Sequence, residues 1–454
     1  MGRRSGQALL RRSRSLISGN RLWKPRLVFW AGALAIGLIS AGFAFVADVA
    51  QHLFIDTVSG DGWTRFLPLA LTPAGFIFCA WAAFRYVPGS QGSGIPQAIA
   101  ARHLREDSER GLFLSLGMVS GKIFLTVVGL LCGASIGREG PTVQVGASIM
   151  LQVARWGGMA QARGLILAGS AAGIAAAFNT PLAGIVFAIE EMGRSYQART
   201  NGVVLFAVIL AGLASLATVG NYTYFGVTHA SATFPTDWIL VIACGVVGGA
   251  FGAGFSYLTL RITRRIRRMA AWTPTLRVIA IAGAAGLIVA ILGVATNGMS
   301  YGTGYDQARS AIEGEALPWY YFAVKFVATL VSTVCGIPGG LFAPSLSVGA
   351  GLGSTIGIIL GTDVALAALL GMAGYFSGVV QAPMTAFVII LEMTGNQANV
   401  LPLMAAAVVG HGVSRLISPQ PLYGALSRLF IADVLRRRRA AAQQKVENEA
   451  GQKA

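Results

Sequence analysis

The sequence predicts an all-α polytopic membrane protein made of two inverted repeats of broken, tilted and re-entrant helices. The first observation behind this prediction is composition. Hydrophobic residues make up 54% of the chain and charged residues only 12%, where soluble domains have about 25% charged residues. The second is that 59 glycines and 16 prolines interrupt many of the apolar runs. The third is that two pairs of similar segments recur about 200 residues apart.

Ten apolar runs are long enough to cross a hydrocarbon core of about 30 Å, which takes about 20 helical residues. The runs are 27–50, 67–84, 112–136, 165–189, 203–219, 239–257, 278–294, 319–337, 365–391 and 400–417. They are continuously apolar and do not alternate with a period of two, so a closed β-barrel is not expected. Their glycine and proline breaks predict helices that stop inside the membrane, which survive only where they are buried in protein or line a cavity.

Positive charge is concentrated in three places. The net charge of +17 comes mainly from eight basic residues in 1–26, five arginines in 261–268 and four arginines in 436–439. The positive-inside rule places these segments, and with them both termini, in the cytoplasm below a cell inner (plasma) membrane. Apart from Trp23 the basic runs contain no aromatic residue that could stack on bases, and they match no nucleic-acid-binding motif, so nucleic acid is not an expected partner. The first apolar run is longer than the about 7 to 15 residues of a signal-peptide core, so no cleavage is expected.

The chain divides into three parts. A basic arm (1–26) precedes a transmembrane domain (27–430), whose repeat halves are about 27–225 and 235–430, and a short polar tail (431–454) follows. The cysteines occur singly in apolar surroundings, without a CxxC motif or a nearby histidine pair, and therefore read as small core residues. They are Cys79, Cys132, Cys244 and Cys335. No metal and no cofactor is predicted.

The internal repeat is visible in two pairs of segments. EGPTVQVGA (139–147) is similar to FAPSLSVGA (342–350), and AAAFNTPLAGIVFAIEEM (175–192) is similar to SGVVQAPMTAFVIILEM (377–393). Repeats with glycine and proline breaks at matching positions point to a secondary transporter, whose site lies near the midplane where broken helices meet. Small residues also allow close helix packing, but packing alone does not predict two pairs with the same offset. The inverted orientation is expected by analogy with other transporters.

Three breaks in the apolar runs predict an anion site. Each ends in a proline where an apolar run resumes, as at the first turn of a helix. Helix N-termini carry unpaired N–H groups and about half a positive charge, so several of them converging would bind an anion weakly enough to release it. Glu139 lies in one break, and a carboxylate at this depth, which costs roughly 2.5 kcal/mol or more, marks a functional site. The breaks are GSGIP (92–96), GREGP (137–141) and GIPGGLFAP (336–344).

These three motifs and the later PLYGAL (421–426), in this order, resemble the signature of the CLC family of chloride channels and chloride/proton antiporters. The resemblance covers about 27–429 and implies a homodimer in the bilayer with one anion path per subunit. The eukaryotic members carry two cytoplasmic regulatory modules after this region. The short polar tail here implies the prokaryotic type, without regulation by nucleotides.

The resemblance also implies the residues that bind chloride. The hydroxyl groups of Ser93 and Tyr423 would coordinate the central anion, and the backbone N–H groups of Leu341, Phe342 and Gly140 would complete its path. In the family, serine at the position of Ser93 accompanies chloride preference and proline there accompanies nitrate. Chloride is therefore the expected substrate.

The same resemblance assigns the proton chemistry. Glu139 would be the gating glutamate, whose carboxylate occupies the outer anion site when charged and leaves it when protonated. Glu191, the second acid of the EE pair, would be the inner proton acceptor that channels usually lack. The residues alone leave open that Glu190 and Glu191 both simply end a helix beside Arg194 and Arg199, and this structural role is the one expected for Glu190. Arg138 would point away from the anion and pair elsewhere. Proton-coupled antiport is the expected activity.

Several alternatives remain open at this level. A passive voltage- or pH-gated chloride channel would share all the anion motifs, and a fluoride-specific branch would usually depart from GSGIP and GREGP. TGYDQ (303–307) is faintly similar to the tyrosine-aspartate motif of intramembrane aspartyl proteases, although no second aspartate occupies an apolar run. Gln97 replaces an acid that many relatives carry directly after GSGIP, which leaves the inner proton route open.

Overall fold

The computed structural model describes residues 20–60, 62–160, 162–193, 198–220, 223–228, 230–269 and 273–451. Within these ranges the regular secondary structure is helical, apart from two isolated β-bridges, and loops and turns connect the helices. The α-helices are α1 (Asn20–Val58), α2 (Pro68–Arg85), α3 (Ile95–His103), α4 (Asp107–Gly111), α5 (Leu116–Leu131), α6 (Glu139–Gly157), α7 (Ala162–Phe178), α8 (Pro181–Phe187), α9 (Ala198–Val219), α10 (Trp238–Arg268), α11 (Pro274–Ala295), α12 (Tyr305–Ile312), α13 (Tyr321–Val334), α14 (Phe342–Leu360), α15 (Val364–Val380), α16 (Pro383–Thr394), α17 (Val400–Ile417) and α18 (Leu422–Gly451). Two 3-10 turns, Trp63–Phe66 and Gln397–Asn399, lie between helices, and a π-helical turn, Ala188–Gly193, continues α8.

Eight helical stretches of the described residues are long and apolar enough to cross a membrane. Seven of them correspond to predicted runs, and the eighth is α14, which begins inside the third glycine and proline break. The protein is therefore a multi-pass membrane protein. Its all-helical architecture confirms the fold class that the sequence predicts.

Three predicted spans were wrong. The runs 165–189 and 365–391 are each two helices, because Asn179 (φ 56°) and Gln381 (φ 60°) adopt the left-handed conformation that ends α7 and α15. Pro181 and Pro383 then begin α8 and α16, as proline does well at the first helical position. The run 319–337 contains only the 14 residues of α13, which are too few to cross the bilayer.

The two halves repeat each other in length and in packing. Helices α6 and α14 both have 19 residues, and α7 and α15 both have 17. In each half the two helices, α6 with α7 and α14 with α15, pack against each other at glycine residues. A methyl group on Gly146 would lie 2.2 Å from the carbonyl oxygen of Gly169, and a methyl group on Gly371 would lie 2.4 Å from that of Gly349. Nearly all of α7 and α15 is buried, so these helices form the core around the centre of the protein.

Two glutamates at repeat-equivalent positions join the halves. Glu190 accepts hydrogen bonds from the backbone N–H groups of Met384 (3.1 Å) and Thr385 (2.7 Å) in the first turn of α16. Glu392 accepts two from the first turn of α8, at 3.1 and 2.7 Å. Each half thus caps the helix N-terminus of the other, which is what a two-fold axis between inverted repeats produces. The expected structural role of Glu190 is confirmed, but its contacts are with α16. Arg194 and the side chain of Arg199 lie outside the described residues.

Replacing Glu392 with glutamine is expected to lower the free energy of unfolding by about 1 kcal/mol, because a carboxylate at a helix N-terminus also interacts with the helix dipole. Chemical unfolding in mixed micelles would measure this loss. Glu313→Gln is the matched control. Glu313 forms an exposed pair with Arg309, so this substitution should cost less than about 0.5 kcal/mol. Equal losses in the two variants would contradict the capping role of Glu392.

Candidate functional site

The three glycine and proline breaks are tied together by backbone hydrogen bonds at the centre of the protein. The Gly92 N–H donates to the Ile337 carbonyl (3.0 Å), and the Gly339 N–H donates to the Gly92 carbonyl (3.1 Å). Gly137 and Gly340 exchange two hydrogen bonds of 2.7 and 2.6 Å, as an isolated antiparallel bridge. Segments from three distant parts of the sequence therefore meet in one place, which we call the central junction (residues 92–94, 137–140 and 337–342).

Each break starts a helix, as the sequence predicts. Helix α3 begins directly after Gly94, whose φ of 98° favours glycine. Helix α6 begins at Glu139 and α14 at Phe342. All three begin at the central junction, so their unpaired N–H groups and the positive ends of their dipoles surround a common region. This arrangement favours a bound anion without a formal positive charge.

The backbone approaches closely at this point. A methyl group on Gly140 would lie 2.4 Å from Ser93 Oγ, 2.8 Å from the Ser93 carbonyl oxygen and 3.2 Å from Gly340 Cα. The Ser93 hydroxyl therefore lies directly against the first turn of α6. Any residue with a Cβ at position 140 would collide with Ser93 and displace it.

Ser93 and Tyr423 bring two buried hydroxyl groups to the junction. Tyr423 is in the first turn of α18, its ring is nearly parallel to that of Phe342 with centroids 6.2 Å apart, and its hydroxyl is a close neighbour of Ser93. Neither hydroxyl makes a hydrogen bond of ordinary geometry to a protein group in the part of the chain that the structure describes. Buried hydroxyls are normally hydrogen-bonded, so this pair fits the role of anion ligands.

Glu139 is fully buried in the first turn of α6. Its carboxylate faces the backbone N–H groups of Glu139 itself and of Ala343, although neither contact has full hydrogen-bond geometry. A methyl group on Gly137 would lie 2.3 Å from its Oε2. The carboxylate thus sits at the N-termini of α6 and α14, in the place where an anion would be stabilised.

Arg138 turns away from the junction, as the resemblance implied. Its Nη1 contacts Asp48 Oδ1 at 2.5 Å and donates to the Ala44 carbonyl at 2.6 Å, so the guanidinium is held against α1. The adjacent Arg138 and Glu139 therefore point to different partners. The arginine secures the start of α6 and leaves the junction to backbone and hydroxyl donors.

Glu191 is buried in the π-helical turn that follows α8. Such turns are frequent at functional sites. Arg102, at the end of α3, donates a hydrogen bond to the carbonyl of Met192 and so fixes this turn against the helix that begins at the junction. The carboxylates of Glu139 and Glu191 both lie near enough to the Tyr423 hydroxyl to interact with it electrostatically. The structure therefore brings the sequence-predicted residues into one buried region.

Lys122 supports the junction and was missed by sequence reasoning. It is fully buried in α5, and its Nζ donates to the carbonyls of Ser90 and Gly92, both at 2.5 Å. Gln97 acts on the same loop through its amide nitrogen, which donates to the Gln91 carbonyl at 2.5 Å. These two side chains hold the segment that presents Ser93. The signal for Lys122 was a single lysine inside an apolar run.

Lys325 repeats this arrangement in the second half. Its Nζ donates to the carbonyls of Ser300, Tyr301 and Gly302 at 3.0, 3.1 and 2.8 Å. The loop continues through Thr303 into α12, just as the loop held by Lys122 continues into α3. TGYDQ is therefore the second-repeat counterpart of GSGIP, which explains the motif structurally.

These features define a class of protein: a membrane transporter of the inverted-repeat type, whose broken helices direct their N-termini at a buried ion site. Comparison with known proteins identifies the family. The sequence profile of the family described as "Voltage gated chloride channel" matches residues 75–415, well over half of the chain. The chain therefore belongs to this family, which confirms the resemblance carried by the motifs.

Named relatives have similar lengths. The chain is 29% identical over 445 residues to the H(+)/Cl(-) exchange transporter ClcA of Klebsiella pneumoniae, covering 91% of this chain and 90% of the relative. It is 29% identical over 420 residues to the protein of the same name from Salmonella typhimurium, covering 86% and 85%.

Solved structures share the fold. A slow cyanobacterial Cl-/H+ antiporter superposes with a TM-score of 0.77 at 24% identity, covering 90% of this chain and 98% of that one. A CLC-type fluoride/proton antiporter gives a TM-score of 0.73 at 24% identity, covering 88% and 98%.

Proposed function

We propose that the protein is a secondary active antiporter that exchanges chloride for protons across a cell inner membrane. One observation carries the proposal: the Glu139 carboxylate lies at the helix N-termini that would hold an anion. The ClcA relatives are named H(+)/Cl(-) exchange transporters, which supports the same activity. A carboxylate and a chloride ion that compete for one position provide the coupling that exchange requires.

The anion path begins with binding at the junction. Chloride would accept hydrogen bonds from the Ser93 and Tyr423 hydroxyls and from backbone N–H groups of Leu341, Phe342 and Gly140. Dipoles and neutral donors hold a chloride ion without the strong attraction of a buried guanidinium or ammonium group. Binding of this kind is weak enough to allow release and turnover.

The proton path uses the two buried glutamates. Ionised Glu139 occupies the outer anion position and blocks it. On binding a proton it becomes a neutral acid, loses its attraction to the helix N-termini and leaves the position to chloride. Glu191 receives protons from the cytoplasmic side and supplies them to Glu139. Each movement of Glu139 thus links one proton transfer to the passage of chloride.

The rival function is a passive chloride channel with the same anion site. A channel needs Glu139 as a gate but has no use for an inner proton acceptor. A buried carboxylate at position 191 is costly and is explained by proton transport. The presence of Glu191 therefore favours the antiporter.

Proton movement in liposomes separates the two functions. With a chloride gradient, no initial proton gradient and the voltage clamped near zero, the antiporter is expected to move protons against their electrochemical gradient. Glu191→Gln should abolish this movement while chloride flux persists, and the exposed control Glu447→Gln should retain it. Chloride flux without proton movement in the unmodified protein would identify a channel.

We also propose that residues 27–430 form the transport domain and that the basic arm (1–26) and polar tail (431–454) are cytoplasmic. The end of α10 and helix α18 lie on the same side, since Arg267 pairs with Asp433 at 2.7 Å. Both carry arginine clusters, as cytoplasmic segments do. Residues 431–451 of the polar tail belong to helix α18.

A homodimer is the proposed assembly. Leu182 in α8 and Met384 in α16 are exposed and occupy repeat-equivalent positions. An apolar face shared by both halves suits the self-complementary contact of a two-fold dimer. Light scattering of the purified protein should give twice the mass of one chain, and a stable monomer would contradict this proposal.

A further inference from the structure

A cavity of about 760 Å³ lies at the arginine-rich end of α10. Its walls are the last turns of α10 and the segment that connects α17 to α18. The proposed exchange mechanism makes no use of it. We call it the arginine pocket, and its charged lining consists of Arg261, Arg264, Arg265 and Arg268.

The four arginines form one stripe along the helix. Together with Tyr257 they follow the spacing i, i+4, i+7, i+8 and i+11, which places them on one face. Arg267 lies off this stripe, and its charge is balanced by Asp433. Arg267, which is paired with a carboxylate, and the four arginines that line the pocket therefore lie on different faces of the helix.

The pocket arginines have no direct ion-pair partner among the described residues. No carboxylate of the described residues lies within 4.0 Å of any of its four guanidinium groups. The contacts they do make are neutral: Arg264 Nη2 donates to Gln420 Oε1 at 2.9 Å, and Arg261 Nη1 donates to the Tyr257 hydroxyl at 3.1 Å. Like charges four residues apart destabilise a helix, so an anionic ligand would relieve a repulsion that no carboxylate of the described part of the chain relieves by direct contact.

A general preference for positive charge at this position explains part of the pattern. A helix C-terminus attracts cations, and the cytoplasmic side of a membrane protein is rich in arginine. Neither effect requires the arginines to surround a cavity or to be oriented by Gln420 and Tyr257. The concave shape points to a ligand.

Apolar surface adjoins the charged lining. Leu416 is 86% exposed and Ile417 is 48% exposed at the end of α17, and Tyr257 is 47% exposed on α10. A soluble anion would leave these side chains uncovered. Acyl chains would cover them, so the surroundings favour a lipid.

We infer that the arginine pocket binds the phosphate of an anionic membrane phospholipid, with its acyl chains against Leu416 and Ile417. Guanidinium groups bind phosphate oxygens in pairs of parallel hydrogen bonds. Basic pockets between membrane helices on the cytoplasmic side bind such headgroups. This inference does not depend on the exchange mechanism, because no residue of the pocket belongs to the ion path.

Lipid binding to the purified full chain tests this inference. Retained phosphatidylglycerol would be counted by native mass spectrometry and compared with phosphatidylcholine of the same acyl chains. The double variant Arg261→Gln with Arg265→Gln should bind phosphatidylglycerol about thirtyfold more weakly. Arg268→Gln alone should weaken it about fivefold, and phosphatidylcholine should not distinguish the proteins.

The matched control removes the same charge from exposed positions of α18, through Arg437→Gln with Arg439→Gln, and should change binding less than twofold. Equal losses in the pocket and control variants, or equal binding of the two lipids, would overturn the inference. Inorganic phosphate separates the possible sources of the anion. It should not displace phosphatidylglycerol, and displacement at millimolar phosphate would show that the pocket takes free phosphate instead. Monodisperse elution of each variant confirms that it is folded.

Discussion

Replacing Glu139 with glutamine is expected to leave chloride transport running while coupled proton transport falls by about a hundredfold or more, the effect of losing a proton-transferring side chain. An amide neither binds nor releases a proton at the pH values used, so it cannot carry protons. Because it has no charge, it also does not compete with chloride for the helix N-termini of α6 and α14. Chloride flux and proton flux from liposomes, measured over a series of pH values, would show the separation. Chloride flux should also lose most of its pH dependence.

Asp306→Asn is the control for this variant. It removes a carboxylate from the first turn of α12, the second-repeat counterpart of α3, where no proton role is proposed. Coupling should be unchanged in this control. Proton flux that persists in Glu139→Gln would exclude Glu139 as the proton carrier.

Replacing Gly140 with alanine should reduce chloride turnover by about a hundredfold, because displacing a binding group by about 1 Å has effects of this size. The added methyl group would lie 2.4 Å from Ser93 Oγ and 2.8 Å from the Ser93 carbonyl oxygen. Backbone cannot move away as easily as a flexible side chain, so Ser93 must leave its position. Proton flux should fall in the same proportion, and radioactive chloride uptake would measure the loss.

Gly254→Ala is the matched control for this second variant. Gly254 lies within α10, and a methyl group there would meet nothing within 4 Å. Its chloride uptake should equal that of the unmodified protein. Normal uptake by a folded Gly140→Ala protein would show that the close approach to Ser93 is not needed for transport.

The helix starts at the junction could be predicted because their signals are local. Proline after a glycine-rich break marks the first turn of a helix wherever it occurs, and the structure begins α3, α6 and α14 at these breaks. The ends of α7 and α15 were harder to predict from the sequence. Gln381 adopts a left-handed conformation that glutamine seldom takes, so nothing in its residue type announced the break in the run 365–391.

The site shows a similar division. The motifs named Ser93, Glu139 and Tyr423, but only the fold shows that a residue early in the chain and one in α18 meet at the same place. The role of Lys122 depends on loop carbonyls that turn toward α5. Backbone orientation of that kind is set by tertiary packing and leaves no trace in the local sequence.

The central claim is that chloride binds at the junction of three helix N-termini, against the hydroxyls of Ser93 and Tyr423. Crystals of the protein grown in bromide, with diffraction measured at the bromine absorption edge, test this claim most directly. An anomalous peak within hydrogen-bonding distance of both hydroxyls is the predicted result, with a second peak at the position of the carboxylate in Glu139→Gln. Bromide bound only elsewhere, with no peak at the junction in either protein, would contradict it.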